Sequence, residues 1–448
     1  MRVGRRVSPV VAEPPQQRRT LATLVAAQVC AGAGLAAGIT VGALLAEEML
    51  GSTSLAGVPA ALFTAGSAAA AVTVGRVSNR YGRRRGLALG YGAGTVGSLA
   101  VVAAAALDSV PLLLAALLVY GAGTATNLQA RYAGADLAAP SRRGRAVSTV
   151  LVATTLGAVV GPNLVSAMGD VAHAIGIPRL AGSFLLAAAA YGAAGLVLLA
   201  RLRPDPLLLA RSLASAPEAA THPGPGDGSA EPPAGRVGRG VAVGASVMVV
   251  TQMVMIAVMT MTPIHMRDHG HGVGATGLVI GAHVAGMYLP SPVTGLLVDR
   301  LGRRVLAMAS GVTLLAAGLM AAAVPPASVP ALALALALLG IGWNVGLVSG
   351  TAIITDTVPL ATRARTQGAV DLCIALAGAG GGIGSGVVVA GSSYGVLAVA
   401  GGVLAVAVIP LVAASAGRTG GAPLAHAGRE PAVGPGDDVA PAPVPLDG

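Results

Sequence analysis

The sequence predicts an all-α integral membrane protein in which twelve transmembrane helices form two six-helix bundles. Of its 448 residues, 54% are hydrophobic and only 10% are charged, and its mean hydropathy is +0.77, which is too apolar for a water-soluble globule of this length. Apolar runs long enough to cross a bilayer recur along the chain. Residues 75–84 also align with residues 295–304 at an offset of 220 residues, with the same Gly and Arg at five of the ten positions, which indicates an internal duplication.

The predicted helices follow the apolar runs in order. A helix needs about 20 apolar residues to span the hydrocarbon core, and inside lipid a helix satisfies its own backbone hydrogen bonds. The first run is too long to be a removable signal peptide. The twelve runs lie at residues 21–46, 54–74, 87–107, 111–134, 147–168, 180–200, 241–263, 273–294, 305–325, 331–354, 369–391 and 394–416.

The arginines predict the orientation of the chain. All 28 basic residues are arginine, and all but Arg131, Arg179 and Arg267 lie in the two terminal segments, the middle segment or the links after helices 2, 4, 8 and 10. By the positive-inside rule these parts face the cytoplasm, which predicts a multi-pass protein of the cell membrane with both termini cytoplasmic. Because the arginines are spread over many links, the net charge of +10 does not indicate a nucleic-acid partner.

Composition divides the chain into two halves. The middle and C-terminal segments are rich in Pro, Gly, Ala and Asp and carry too little apolar surface to fold alone, so we expect them to be flexible. The expected domains are a cytoplasmic N-terminal segment at 1–20, a first bundle at 21–200, a flexible cytoplasmic loop at 201–240, a second bundle at 241–416 and a flexible cytoplasmic tail at 417–448.

Short basic motifs recur at equivalent places in the two halves. Residues 295–304 read GLLVDRLGRR, and residues 75–84 read GRVSNRYGRR, with Asn79 at the position of Asp299. The links after helices 4 and 10 repeat at the same offset, with Asp136, Arg143 and Arg145 in the first and Asp356, Arg363 and Arg365 in the second.

These motifs resemble the signature of the major facilitator superfamily, which has the form Gly-x-x-x-Asp-Arg-x-Gly-Arg-Arg between helices 2 and 3. The resemblance implies a secondary transporter whose two bundles are joined by these links in the outward-open state. The gating residues that it implies are Gly75, Asn79, Arg80, Gly82, Arg83, Asp136 and Arg143 in the first half, and Gly295, Asp299, Arg300, Gly302, Arg303, Asp356 and Arg363 in the second.

The charges in these links suit a latch. An acid or amide at a helix end can cap free N–H groups, and neighbouring arginines can pair with Asp136 and Asp356. Asn79 can cap but carries no charge, so we expect the first-half latch to be weaker and less sensitive to salt than the one around Asp299. The alternative is that individual arginines, such as Arg85, only anchor the protein to anionic lipid headgroups.

The absence of lysine from the sequence bears on the energy source for transport. A P-loop needs the lysine that reaches the phosphates, and the sequence has no lysine. Glycine-rich runs lie within apolar helices, where small residues allow close packing. No nucleophile and base arrangement suggests an enzyme. We therefore expect secondary transport without a cofactor, driven by an ion or substrate gradient, and of these we expect the proton gradient.

Helix 5 carries a possible indication of direction. Gly157, Gly161 and Pro162 resemble the Gly-x-x-x-Gly-Pro core of a motif in the superfamily's proton-coupled exporters, although the further glycines of that motif are missing. Gly and Pro here would bend the helix and let it pack closely across the interface between the bundles. The motif favours export.

Buried polar groups mark the expected pathway in the first half. Tyr120, Asn127 and Arg131 lie at helical spacing on one face of helix 4, and a charge in lipid is costly enough that Arg131 should face the interior. Asp371 on helix 11 either pairs with Arg131 or titrates during transport. The alternative is an acid near a helix N-terminus that interacts with the helix dipole.

The second half offers mainly apolar candidates. Methionines on one face of helix 7 indicate either an adaptable surface for apolar ligands or ordinary packing. His283 is a candidate proton site or a hydrogen-bonded spacer, and Trp343 with Asn344 is a candidate stacking and hydrogen-bonding pair. The pathway residues predicted beyond helix 4 and Asp371 are Gln28, Asn163, Gln252, Met255, Met259, His283, Trp343 and Asn344.

His265 and His269 lie near Asp268 at the outer end of helix 7. A metal site is conceivable if the helix continues, but a solvated loop is the expected reading, and we expect no metal.

The sequence thus favours a monomeric transporter in membrane lipid that exports small amphipathic or apolar compounds in exchange for protons. The alternatives are proton-coupled uptake of a polar metabolite and a non-transporting membrane receptor. A pathway dominated by Met and aliphatic groups would favour export, whereas one with Asn, Gln and Arg131 around it would favour the metabolite carrier.

Overall fold

The computed structural model describes residues 13–50, 57–215, 234–325 and 327–417, and every regular element in these ranges is helical. The helices of the first half are α1 (Gln16–Leu50), α2 (Gly57–Tyr81), α3 (Arg83–Ala106), α4 (Val110–Ala135), α5 (Arg143–Ala174), α6 (Gly182–Arg201) and α7 (Pro206–Ser215). Those of the second half are α8 (Ala234–Asp268), α9 (Val273–Tyr288), α10 (Ser291–Leu301), α11 (Arg303–Ala323), α12 (Val329–Thr357), α13 (Arg363–Gly391), α14 (Tyr394–Val406) and α15 (Val408–Gly417).

Each predicted crossing corresponds to a helix or to a broken pair of helices, which confirms the predicted fold class. Among the described residues, nine helical segments are long and apolar enough to span a membrane, and one of them, Tyr394–Ser415, joins α14 and α15. The eighth crossing is divided into α9 and α10 at Pro290, and the twelfth into α14 and α15 at Ala407. Proline has no N–H to donate to the preceding turn, which explains the first of these breaks.

Each half has its own hydrophobic core. In the first half, Tyr91, Tyr120, Phe184 and Tyr191 form an aromatic cluster between α1, α3, α4 and α6. The second core is built from aliphatic and methionine side chains around Trp343, and it extends to Val147 and Leu151 of α5 in the first half. The two halves are therefore in direct apolar contact through α5.

The predicted links after helices 2 and 8 are much shorter than expected. The helices continue through both motifs, and only Gly82 and Gly302 separate α2 from α3 and α10 from α11. Their φ angles of 91° and 96° lie in the region that glycine adopts without steric penalty. The predicted runs ended at residues 74 and 294, before the basic motifs, but a helix continues into the headgroup region because its hydrogen bonds are internal.

The middle segment is also more ordered than predicted. Residues 206–215 form α7, whose Leu207 is fully buried, and α8 already begins at Ala234. A short apolar face packed on the first bundle is sufficient to order α7. The predicted flexible tail from 418 onward, most of the N-terminal segment and the rest of the middle segment (216–233) lie outside the described residues.

The outer end of α8 is helical through Asp268, so the expected loop at His265 and Asp268 is wrong. The ring of His265 stacks on Tyr394 with a centroid distance of 4.4 Å, and Tyr394 shares a hydrogen bond of 3.0 Å with Thr262. This packing extends the helix. Within the described ranges, no three His, Cys, Asp or Glu side chains are placed to hold a metal ion.

Candidate functional site

Four arginines and two aspartates join the arginine-rich ends of the two halves. Asp136 accepts a hydrogen bond of 2.8 Å from Arg83 Nε, and its other oxygen lies 3.9 Å from Arg363 Nη1. At the equivalent position of the second half, Asp356 pairs with Arg303 and Arg143. Each aspartate thus pairs with one arginine of its own half and one of the other half, and we call these six residues the gate.

Close helix contacts accompany the gate. A Cβ on Gly75 of α2 would lie 2.8 Å from Gly368 Cα of α13, and a Cβ on Gly295 of α10 would lie 2.6 Å from Gly144 O of α5. These distances are shorter than a side chain allows. Glycine at both positions lets the backbones approach, and the two contacts are related by the repeat.

Asp299 caps a helix of the opposite half. Its carboxylate accepts hydrogen bonds from Gly144 N at 2.8 Å and from Arg145 N and Nε at 3.1 Å, which satisfies free N–H groups in the first turn of α5. Asn79 does not do the same, and the expectation that it caps is wrong. Its side-chain oxygen instead accepts a 3.0 Å hydrogen bond from Arg211 of α7.

Two predicted gating residues lie away from the junction. Arg80 and Arg300 are exposed, and Arg80 places its guanidinium over the ring of its neighbour Tyr81, 5.0 Å from the centroid. Arg80 follows Asn79 and Arg300 follows Asp299, the motif residues that face the junction. A helix rotates by about 100° per residue, which turns the two arginines outward.

The gate continues inward through Gln367, a residue that no sequence pattern indicated. Arg83 is fully buried and donates to Gln367 Oε1 of α13, while Gln367 Nε2 donates to Thr355 Oγ1 at 3.3 Å. Gln367 belongs to no sequence motif. Only its position one helical turn after Arg363 on α13 could have indicated that it lies beside the gate.

A second polar junction lies deeper, between α4 and α13. Arg131 Nη2 and Asp371 Oδ1 are 2.8 Å apart, and their side chains are 0% and 4% exposed. Tyr132 accepts a hydrogen bond of 2.8 Å from Arg131 Nη2 and donates one of 3.0 Å to Asp371 Oδ1. The predicted pairing of Arg131 with Asp371 is therefore present. Asp371 is eight residues inside α13, so the helix-dipole alternative does not apply.

Arg131 also contacts its own repeat equivalent. Its Nε donates to Thr351 Oγ1 of α12 over 3.0 Å, at a sequence separation of 220 residues. Thr351 and Tyr132 were not predicted, although the offset of the repeat could have identified Thr351. We call Arg131, Tyr132, Thr351 and Asp371 the central network.

Other predicted pathway residues of the first half lie in separate places. Gln28 donates to Asn127 O and to Thr154 Oγ1 at 3.1 Å each, and accepts from Tyr91 at 2.6 Å. Tyr120 instead packs in the aromatic core and donates to Gly34 O, so the structure does not bring it together with Arg131. The large ring of Tyr120 is buried against other aromatic side chains of its own bundle, which is favourable packing for an aromatic residue.

The second half contains a separate polar group near Trp343. Trp343 Nε1 donates to Gln252 Oε1 at 2.7 Å, and its ring lies edge-on to Tyr288 at 5.9 Å. Met255 is buried in the core and Met259 packs against it, which supports the packing interpretation of these methionines.

Asn344 and His283 have structural contacts. Asn344 donates to Met287 O and Ser291 Oγ at 2.7 Å each, where it bridges the break between α9 and α10. It therefore faces a different neighbour from Trp343, and the two do not form the predicted pair. His283 is fully buried, and its Nδ1 lies 2.9 Å from Leu336 O, which fits the spacer reading.

The helix-5 motif packs within its own bundle. A Cβ on Gly157 would lie 2.1 Å from Val29 O of α1, so the expected contact across the interface is wrong for this residue. Small residues face α1 because α1 and α5 cross here at close range. Gly161 is buried, whereas the side chains of Pro162 and Asn163 lie outside the described ones.

Comparisons with known proteins agree with this architecture. The family model described as Major Facilitator Superfamily matches residues 22–237 and 243–443. The chain is 56% identical over 412 residues to the "Uncharacterized MFS-type transporter YdeG" of Bacillus subtilis, covering 91% of this chain and 95% of that protein. It is 32% identical over 358 residues to the "Riboflavin transporter RfnT" of Brucella anthropi, covering 79% and 85%.

Solved structures show the same fold at low sequence identity. The human organic anion transporter MFSD10 (TETRAN) has a TM-score of 0.70 at 16% identity, covering 89% of this chain and all of that one. The proton:xylose symporter XylE has a TM-score of 0.67 at 15% identity, covering 89% and 95%.

Proposed function

This chain belongs to the major facilitator superfamily, and on that premise we propose that it exports small amphipathic organic molecules across the cell membrane in exchange for protons. Transport would proceed by rocking of the two halves about a site near the bilayer midplane. The proposal places the arginine-rich gate on the cytoplasmic side, treats the monomer as the working unit and needs no cofactor or chemical step.

The observation that carries the proton coupling is the buried Arg131–Asp371 pair, which joins the two halves. With Asp371 ionised, the pair is neutral as a unit and holds α4 to α13. A proton on Asp371 leaves the Arg131 guanidinium without a counter-charge in a dry site, which is strongly unfavourable. Protonation therefore weakens the conformation in which the gate is closed, and this links proton uptake to its opening.

Solute recognition is assigned to side chains on both sides of this pair. The amide and hydroxyl groups of Gln28 and Thr154 in the first half and the Gln252–Trp343 pair in the second half offer hydrogen bonds. Tyr288, whose ring lies edge-on to Trp343, offers aromatic surface beside this pair. This mixture suits a solute with an aromatic body and polar edges. The sequence resemblance of Gly157, Gly161 and Pro162 to the exporter motif supports export as the direction.

The test uses purified protein in liposomes with an imposed pH gradient and ethidium as the amphipathic probe. We expect ethidium to move against its gradient while protons move down theirs, and a protonophore to abolish the movement. The variant Asp371→Asn reports the coupling. Movement of ethidium at the same rate in protein-free liposomes, or coupling unchanged in Asp371→Asn, would contradict the proposal.

A second candidate function is uptake of a polar aromatic metabolite, and similarity to a riboflavin transporter favours it. The hydrogen-bonding groups beside Trp343 also suit a flavin-like ring. Riboflavin is fluorescent, so its entry into the same liposomes can be followed directly. Riboflavin uptake without ethidium movement would favour this candidate over the exporter.

A further inference from the structure

The six gate residues follow the repeat, but the helix cap beside them does not. Asp299 caps α5 of the opposite half through Gly144 N and Arg145 N. The residues equivalent to these two are Ala364 and Arg365, at the start of α13, and the residue equivalent to Asp299 is Asn79. Asn79 has no charge to offer that helix end, and a different group makes the contact between the halves here.

That group is the guanidinium of Arg211 on α7. It donates to Asn79 O at 2.7 Å and to Asn79 Oδ1 at 3.0 Å in the first half. It also donates to Leu360 O and Ala361 O at 3.0 Å each, in the turn between α12 and α13 of the second half. Four acceptors from two halves converge on one side chain, which only the planar fork of arginine can serve at once.

The helix that carries Arg211 is fixed to the first half. Asp205 accepts from Arg84 N of α3 at 2.7 Å, and its other oxygen accepts from Leu207 N and Leu208 N at 3.0 and 3.2 Å. The carboxylate therefore begins α7 and anchors it to the start of α3. Leu207 and Ala210 are buried beneath it. Arg211 is thus held at the junction by a rigid element.

We propose that α7 is a clasp of the transport cycle, in which Arg211 replaces the missing acid at Asn79 and holds the arginine-rich face closed. The inference rests on the alternating access of the proposed function. When this face opens, α7 stays with the first half and Arg211 releases Leu360 O and Ala361 O. Because its second-half acceptors are neutral carbonyls, the clasp binds and releases without moving a proton.

Distance measurements between two spin labels test this proposal in the full-length protein without any solute. Arg85 on α3 and Arg304 on α11 are exposed and take no part in the gate, so both are replaced by labelled cysteines after Cys30 and Cys373 are changed to serine. In Arg211→Ala, we expect the population with the longer distance to rise about five- to thirtyfold, as for the loss of one or two net hydrogen bonds.

Matched variants separate this effect from general damage. Ser212→Ala changes an exposed neighbour whose hydroxyl bonds only to Leu209 O of its own helix, and it should leave the distances unchanged. Arg211→Lys should resemble Arg211→Ala, because a single ammonium cannot reach all four acceptors. Equal distance distributions in Arg211→Ala and Ser212→Ala would overturn the proposal.

A second measurement keeps the test decisive if Arg211→Ala is poorly folded. Asp205→Ala leaves Arg211 in place but removes the carboxylate that holds α7 to the start of α3, and it should raise the open population in the same direction. An open population that is unchanged in Asp205→Ala would also refute the clasp. These distances need no transport, so a negative ethidium assay does not decide them, and a failed clasp leaves the exporter proposal intact.

Discussion

Arg131 and Thr351 occupy equivalent positions in the two repeats, and Arg131 Nε donates to Thr351 Oγ1 over 3.0 Å. Residues that a duplication relates can touch only near the axis that relates the two halves. The central network therefore lies where the halves meet, and Asp371 adds a charge from α13 at that point. A proton taken up here acts on both halves equally, whereas one taken up inside either bundle would act on one.

Replacement of Asp371 by Asn should abolish proton-coupled transport. The amide keeps the size of the carboxylate but leaves Arg131 without its counter-charge, and breaking a buried pair in this way costs about 3–5 kcal/mol. We expect at least a tenfold loss of gradient-driven ethidium movement, while exchange without a gradient persists and no longer varies with pH. Thr351→Val, which removes only a neutral partner, is the control and should retain coupling.

The two aspartates of the gate should differ in their effect on stability. The Asp136 side chain is 0% exposed beside Arg83, whereas that of Asp356 is 19% exposed. Asp136→Ala should lower the free energy of unfolding by about 3–5 kcal/mol, and Asp356→Ala by less, because water screens its partners. Thermal unfolding in detergent measures both, and equal losses would show that burial does not govern the gate.

Added salt should weaken the contacts of Asp299 and Asn79 unequally. Arg145 Nε meets Asp299 at 3.1 Å with an arginine side chain that is 48% exposed, so salt screens this pair. The equivalent contact at Asn79 has no ion pair and should change little. We expect Asp299→Asn to reduce the salt dependence of the label distances, and an unchanged salt dependence would contradict the expectation.

A methyl group at either glycine contact should force the halves apart. Alanine at Gly75 or Gly295 would place its Cβ 2.8 or 2.6 Å from backbone atoms of the facing helix, and such overpacking destabilises by about 1–3 kcal/mol. The same spin labels should report a larger open population. Gly384→Ala on α13 has no neighbour within 4 Å of the new Cβ and serves as the control.

The single tryptophan should report solute binding. Trp343 is the only Trp in the chain, and its Nε1 is held by Gln252 Oε1 at 2.7 Å. We expect ethidium or riboflavin to quench its fluorescence. Gln252→Leu should weaken binding about tenfold, because the indole N–H loses its partner, without changing the pH dependence. If the solute quenched Gln252→Leu at the same concentrations as the unmodified protein, the Gln252–Trp343 hydrogen bond would have no part in solute recognition.

Sequence patterns predicted some side-chain contacts and missed others for identifiable reasons. The pairing of Arg131 with Asp371 was predictable because few charges lie deep in apolar helices, and each needs a partner. Tyr120 was misplaced because spacing on a helix gives the face of a residue but not the helix that covers it. Arg211 was missed because its segment has the composition of a flexible linker, and only its docking on α3 and α4 orders it.

The sequence alone determined the number of crossings, the duplication, and the positions of the gate motifs. These are local properties. Lipid imposes length and apolarity on each segment separately, and the repeat can be recognised directly from the order of residues. Only the tertiary structure decided which charges meet, that Asp299 caps a helix of the other half, and that Arg211 occupies the place opposite Asn79. Such contacts depend on how helices distant in the chain pack, which no single segment specifies.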